Sequence, residues 1–398
     1  MSAPVTVHIV ETPADFKTFL RFPWTVYKDD PYWVPPLVSM QRHKLDKRKN
    51  PTWQHMEGDY FLARRGDQPV GTIAAFINHR HNDFQGEHIG FFGMFEVLDD
   101  QEAANALLET AAGYVRERGY DAIRGPASFS TNDECGILVE GFGQVPAVLT
   151  PYNPPYYQCL LDQAPGYAPV MDLLNYHFTL RDFQTSKSLE QSLRVTRKNN
   201  ERRQIVVRSL ERRRMRAELS ILKEIYNSAW EKNWGFVPLS EAELDEMVHD
   251  LGQFVEPRLV LFATVTGKPA AFLLAIPDLN EALHPAYPRP GKPEIFSLAQ
   301  AVWHWKLRPK ITRIRIALLG VDQGFRGIGV EAALFARLFE VFQELTQEKP
   351  RWQAADAGWV LETNEPMNRL VQALGGKPYK RFRFYERALI ERHTTSSK

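Results

Sequence analysis

The sequence predicts an α/β protein of two domains, each a mixed, twisted sheet flanked by helices. Three observations carry that expectation. A chain of 398 residues exceeds one ordinary core. Its composition, 44% hydrophobic and 24% charged, is that of a chain able to bury a core. One order of elements also runs through it twice: strand, helix, two-strand hairpin, strand, long helix, strand, short helix, strand. The repeat puts the division near Leu180, giving domains 1–180 and 181–398.

In the first half, "VTVHIV" (5–10) reads as a strand, and Thr12 followed by Pro13 marks a helix start. The prolines of "FPWTVYKDDPYWVPP" (22–36) forbid a long helix, so this stretch wraps the surface or lines a cleft. Residues 58–78 form two strands about the turn "RGDQP", and 88–97 form another. Residues 99–119 make a helix with acids at its start, basic residues near its end and Gly119 beyond. A short strand "YDAIRGPAS", a helix over 153–163 and the strand "PVMDLLNYHFTL" complete the half.

The second half follows a linker helix with strand 203–210 and a helical region over 214–251, broken around Trp234–Pro238. A hairpin about "TGKP" covers 259–277, and an insertion rich in proline and aromatics separates it from strand 311–321. A long helix comes next, its Val330, Leu334, Leu338, Val341 and Leu345 at helical spacing. The strand "GWVLETN", a short helix stopped by glycines and the strand "KPYKRFRFYERAL" end it.

Charge and cysteine content exclude several classes. A net charge of +1 supplies no global field toward nucleic acid or membrane. Cys135 and Cys159 are too few for a disulfide framework or a four-cysteine zinc site. The first residues lack a basic, apolar leader, and no apolar run is long enough to span a bilayer, so the expectation is a cytoplasmic protein without a membrane partner. His79, His81 and His88 lie close together without a cysteine, and no metal site is expected. Residues 194–216 carry Arg or Lys at ten positions, which a solvated connector helix explains; helix-turn-helix and finger motifs are absent.

The chemistry-bearing stretch is "GVDQGFRGIGVEAALFARLF", 320–339. A helix start leaves backbone N–H groups unpaired and favours an anion, and glycines before it let a phosphate approach. Arg326, Gly327, Ile328, Gly329, Val330 and Glu331 therefore suit a pyrophosphate. The succession of strand, R-G-x-G-x, long helix, strand, Asn364, short helix and Gly375 resembles the coenzyme A module of the GNAT N-acetyltransferase superfamily. The resemblance covers most of the second half; the first half matches by element order alone, since "LDDQEAANALL" has no phosphate loop. A tandem pair of GNAT-like domains is therefore expected.

The resemblance implies that acetyl-CoA or another acyl-CoA binds at residues 326–331 and Asn364, with its carbonyl held by backbone N–H groups around Leu319 and Val321. It implies acyl transfer to the amine of a small molecule or peptide by direct attack. Glu362 is the carboxylate on the strand beside the expected thiol, and Tyr385 is a candidate acid. Trp230, Trp234 and Phe236 fall in the segment that covers the acceptor. Two positions depart from the family: Glu331 replaces a small residue, and Val371 replaces the frequent acid tyrosine. Those departures keep a second class open, a non-catalytic ligand sensor or nucleic-acid-binding regulator.

Overall fold

The computed structural model describes residues 3–390 except 132, 180–186, 232, 253 and 349–350, so the expected division at Leu180 lies outside the described residues. The first half contributes β1 (Val5–Ile9), β2 (Met56–Arg65), β3 (Gln68–Asn78), β4 (Ile89–Val97), β5 (Ala122–Gly125), β6 (Ile137–Glu140) and β7 (Ala168–Thr179). The second contributes β8 (Ile205–Ser209), β9 (Val260–Val265), β10 (Lys268–Pro277), β11 (Arg313–Val321), β12 (Ala354–Leu361) and β13 (Lys377–Ala388). All belong to one sheet, ordered β1-β2-β3-β4-β5-β13-β7-β12-β11-β10-β9-β8, with β6 beside β13.

The halves exchange their last strands. β7 pairs with β12 of the second half, β13 pairs with β5 and β6 of the first, and β7 and β13 pair with each other at the centre. The result is one mixed sheet with helices on both faces, continuous across the two repeats.

Each half has one parallel pair that opens into a splay. β4 pairs with β5 over Ile89–Phe91, and β11 pairs with β12 over Arg313–Ile316; beyond those residues the strands diverge. A β-bulge lies at each divergence. Thr72 and Ala74 face Glu96 and Gly93, so β4 holds one extra residue; Leu274 and Ala275 face Leu318 and Ile316, so Ala317 is extra in β11.

The two splays are then treated differently. In the first half the chain after β5 folds back into the gap: Ala127 N donates to Phe92 O at 2.9 Å. A Cβ on Gly93 would meet Ala127 O at 1.8 Å, so glycine is what admits that strand of chain. The helix Gln101–Glu117 beside this splay starts with Asp100, whose carboxylate caps Ala103 N and pairs with Arg65 at 2.8 Å. Its N-terminus is thereby satisfied by the protein's own carboxylate. In the second half, β11 has no strand partner on the splayed side beyond Ile316 among the described residues.

Candidate active site

The glycine loop lies between β11 and the helix Val330–Glu348. Asp322 caps a tight turn by accepting from Gly324 N at 2.9 Å, and Ser228 Oγ donates to Asp322 at 2.5 Å. Gly327 and Gly329 then take φ of +72° and +93°, backbone that a side chain strains. None of the N–H groups of residues 327–332 makes a well-formed hydrogen bond among the described residues. Six donors are therefore left over at a helix start without a carboxylate cap, an arrangement suited to an anion. The apolar stripe of the same helix, from Val330 to Leu345, is buried against β9–β11 and fixes its direction.

The basic helix Lys187–Arg203 closes one side of this loop. Asn199 Nδ2 donates to Ile328 O at 2.8 Å, and Arg202 and Arg203 both donate to Asn199 Oδ1 at 3.2 Å. The charge run read as a solvated connector thus brings two guanidinium groups beside the glycine loop. Its other cations scatter: Arg197 pairs with Glu340 and Arg208 with Glu218. Arg326 itself serves the frame, its guanidinium donating to the carbonyls of Ala229 and Val321. Glu331 is half-buried in the first turn and forms no ion pair among the described residues. Asn364 caps the helix Glu365–Ala373, accepting from Met367 N at 3.3 Å.

Leu319 and Val321 sit on the free edge of β11. Asp322 N donates to Ala270 O, so alternation in the antiparallel pair directs the N–H groups of Gly320 and Leu318 at β10. Those of Leu319 and Val321 point the other way, into the splay.

The aromatic segment divides between the halves. Trp230 covers β11: a Cβ on Gly320 would lie 3.0 Å from its ring. Trp230 also packs with Tyr226, Phe236 and Phe272, ring centroids 4.8, 6.4 and 5.8 Å away. Trp234 turns into the first half instead, edge-on to Phe384 at 5.2 Å and beneath the Arg124 guanidinium at 4.8 Å. Trp230 and Phe236 therefore share one apolar wall beside the splay, and Trp234 clamps the halves together.

Glu362 and Tyr385 are both tied to the frame. Glu362 directly follows β12, where its carboxylate accepts from Asp172 N at 3.1 Å and its own N–H donates to Asp172 O at 2.9 Å. Tyr385 is buried in the core of the first half and donates to Asp162 at 2.7 Å.

Sequence reasoning missed a polar cluster at the apex of the splay. On the face opposite the helix Val330–Glu348, neighbouring strands present Arg315, Asp356, Asn175, His177, Tyr379 and Lys380. Asp356, fully buried, accepts from Arg315 and from Tyr379 Oη. The His177 and Tyr379 rings lie 5.4 Å apart and are the half-buried end of the cluster. At the dry end Lys380 Nζ donates to Gly141 O at 2.8 Å; burial, then the Arg313 charge, pushes its pKa down to about 8. Burial pulls Arg315 down to about 10 and raises the Tyr379 phenol. A Cβ on Gly358, the second residue after Asp356, would meet Asn175 Oδ1 at 2.4 Å, so the cluster abuts the point where β12 leaves β11. The available signal was polar residues at alternate positions of the apolar strand "LLNYHF".

The chain as a whole is similar to known proteins. Protein YghO of Escherichia coli (strain K12) is 32% identical to this chain over 375 residues, 94% of this chain and 93% of YghO. The bacterial ceramide synthase of Caulobacter vibrioides (strain NA1000 / CB15N) is 32% identical over 389 residues, 98% of each chain. The chain belongs to one family with these two proteins. A solved tandem GNAT protein from the clavulanic acid biosynthesis pathway shares the fold, with a TM-score of 0.52 at 12% identity, over 97% of this chain and 99% of that one. No family model matches. The chain thus has the fold of a tandem GNAT protein.

Proposed function

We propose that the chain is an acyl-CoA-dependent N-acyltransferase whose second half, 181–398, binds the acyl-CoA and whose first half, 1–180, lacks a phosphate loop. The observation that carries this reading is the set of six N–H groups at residues 327–332 left unpaired among the described residues, at two positive-φ glycines. They suit the pyrophosphate, with Arg202 and Arg203 adding positive charge beside it. The N–H groups of Leu319 and Val321 polarise the thioester carbonyl from the free edge of β11 and stabilise the oxyanion as the amine attacks. Amine and acyl carbon join, the C–S bond breaks, and the thiolate takes a proton while the new amide loses one. No covalent acyl-enzyme is formed.

Tyr379, bonded to Asp356, and His177 beside it are the pair of groups we assign to proton handling. Glu362 and Tyr385, whose hydrogen bonds go to the frame, hold strand positions in this reading.

For the acceptor we propose a long-chain amine, giving a lipid amide. Support comes from the relative named a ceramide synthase, since a ceramide is an N-acylated long-chain base, and from the apolar wall of Trp230 and Phe236 beside the splay. The test is amine-dependent release of free thiol from acetyl-CoA and from long-chain acyl-CoA. Release with a long-chain base and not with short polar amines supports the assignment. Release with short polar amines alone removes the lipid acceptor and keeps the transferase.

A further inference from the structure

The insertion between β10 and β11 carries an inverted helix. Its ends are clamped to the body: Arg313 Nε bonds Asp278 at 2.6 Å, and Thr312 N bonds Glu281 at 2.6 Å. Its middle is held by the first half, through Trp24 Nε1 on Pro288 O at 2.8 Å and Ser39 N on Glu294 at 3.0 Å. The helix Glu294–Val302 runs on through a wide turn at Trp303–Leu307. The side chains it turns inward are Glu294, Ser297, Ala301 and His304, joined by Trp305, which packs on the second-half core. Outward it presents Ile295, Phe296, Val302, Trp303 and Leu307, with Phe296, Leu307 and Ile295 exposed by 69%, 67% and 64%. A helix on a water-facing surface has the opposite arrangement.

Charge surrounds this apolar face. Arg289, Lys292, Lys306, Arg308 and Lys310 are all exposed, while the single carboxylate of residues 287–310, Glu294, is turned to Ser39. Apolar and aromatic tips flanked by long cationic side chains are the pattern of a helix lying in a lipid headgroup layer. A second copy of this chain is disfavoured as the occupant. A two-fold contact through this patch would bring five cations against five.

We propose that the face of residues 295–307 docks the protein on an anionic lipid surface. This goes beyond the acyl-transfer reading and is independent of it. No helix among the described residues is long and apolar enough to cross a membrane, and none is needed. A peripheral contact of this kind departs from the expectation of a protein without a membrane partner.

The experiment is co-sedimentation of the full chain with vesicles of phosphatidylcholine alone and of phosphatidylcholine mixed with phosphatidylglycerol. The protein should pellet with the mixed vesicles, and less as salt is raised. Phe296→Glu should weaken binding about tenfold or more, since a buried ring becomes a charge in the interface. Lys306→Glu with Arg308→Glu should weaken it as well. Both variants alter outward side chains, so melting temperature should not move; if Phe296→Glu does lower it, Leu307→Ser at the other end of the face is read instead. Protein that stays in the supernatant with both vesicles overturns the proposal. So does equal pelleting of wild type and variants. A dimer that Phe296→Glu dissociates, without vesicle binding, also overturns it and makes the face a contact between copies.

Discussion

Replacing Gly329 by alanine perturbs the glycine loop at its tightest point. The residue sits at φ +93°, and the new Cβ would lie 2.8 Å from Asn199 Nδ2. Left-handed backbone costs a residue with a Cβ about 1–2 kcal/mol. Displacing Asn199 also loses its bond to Ile328 O, a further ~1 kcal/mol for a typical hydrogen bond. If the mutant loop relaxes when empty and must be forced back to bind, this sum of about 2–3 kcal/mol weakens CoA affinity roughly 30- to 150-fold. Calorimetric titration of CoA into both proteins reads the change directly. Gly113→Ala is the control, because it lies inside the helix Gln101–Glu117 with nothing within 4 Å of its Cβ. It should bind CoA as wild type does. Wild-type affinity in Gly329→Ala would refute the assignment of the loop to the pyrophosphate.

Three further outcomes are expected. Glu331→Ala removes a carboxylate from the first turn of the loop helix and should bind CoA equally or more tightly, by up to ~1 kcal/mol; calorimetry showing weaker binding would give the carboxylate a supporting role. Tyr379→Phe should lower turnover on the order of a hundredfold with CoA affinity unchanged, while Glu362→Gln stays near wild type; the reverse pattern in the thiol-release assay would move proton handling to Glu362. Glu96, which accepts from Tyr157 Oη at 2.8 Å, has its carboxyl pushed up to about 7 by burial. Its folded value lies above its unfolded one, so the stability it confers is full below about pH 4.3 and is lost as pH rises through 7. Glu96→Gln should therefore melt higher than wild type near pH 8 and lose that advantage near pH 5; a difference independent of pH would refute the raised pKa.

What was legible in the sequence follows from what each signal depends on. The glycine loop and its helix were legible because positive φ and a buried stripe are local demands, met by Gly327, Gly329 and Val330 to Leu345. The doubled order of elements was legible for the same reason, down to Thr12 capping Asp15 N. The exchange of β7 and β13 was not, because both are alternating strands that either half could accept. The cluster of Asn175, His177, Arg315, Asp356 and Tyr379 was not legible either, since four strands far apart in sequence bring it together. Helix Glu294–Val302 was hidden differently. In the sequence it is only part of an insertion rich in proline and aromatics, and the packing alone shows which face of the helix is turned inward.

The central claim is direct acyl transfer from CoA to an amine at the second-half splay. Mass spectrometry of a single reaction with a long-chain acyl-CoA and a long-chain base tests it most directly, with both the small-molecule products and the intact protein weighed. The account predicts an N-acyl amide, one free CoA for each amide and no acyl adduct on the chain, with amide formation lost in Gly329→Val. An acylated protein that turns over to product, or no amide from a protein that binds acyl-CoA, would contradict it.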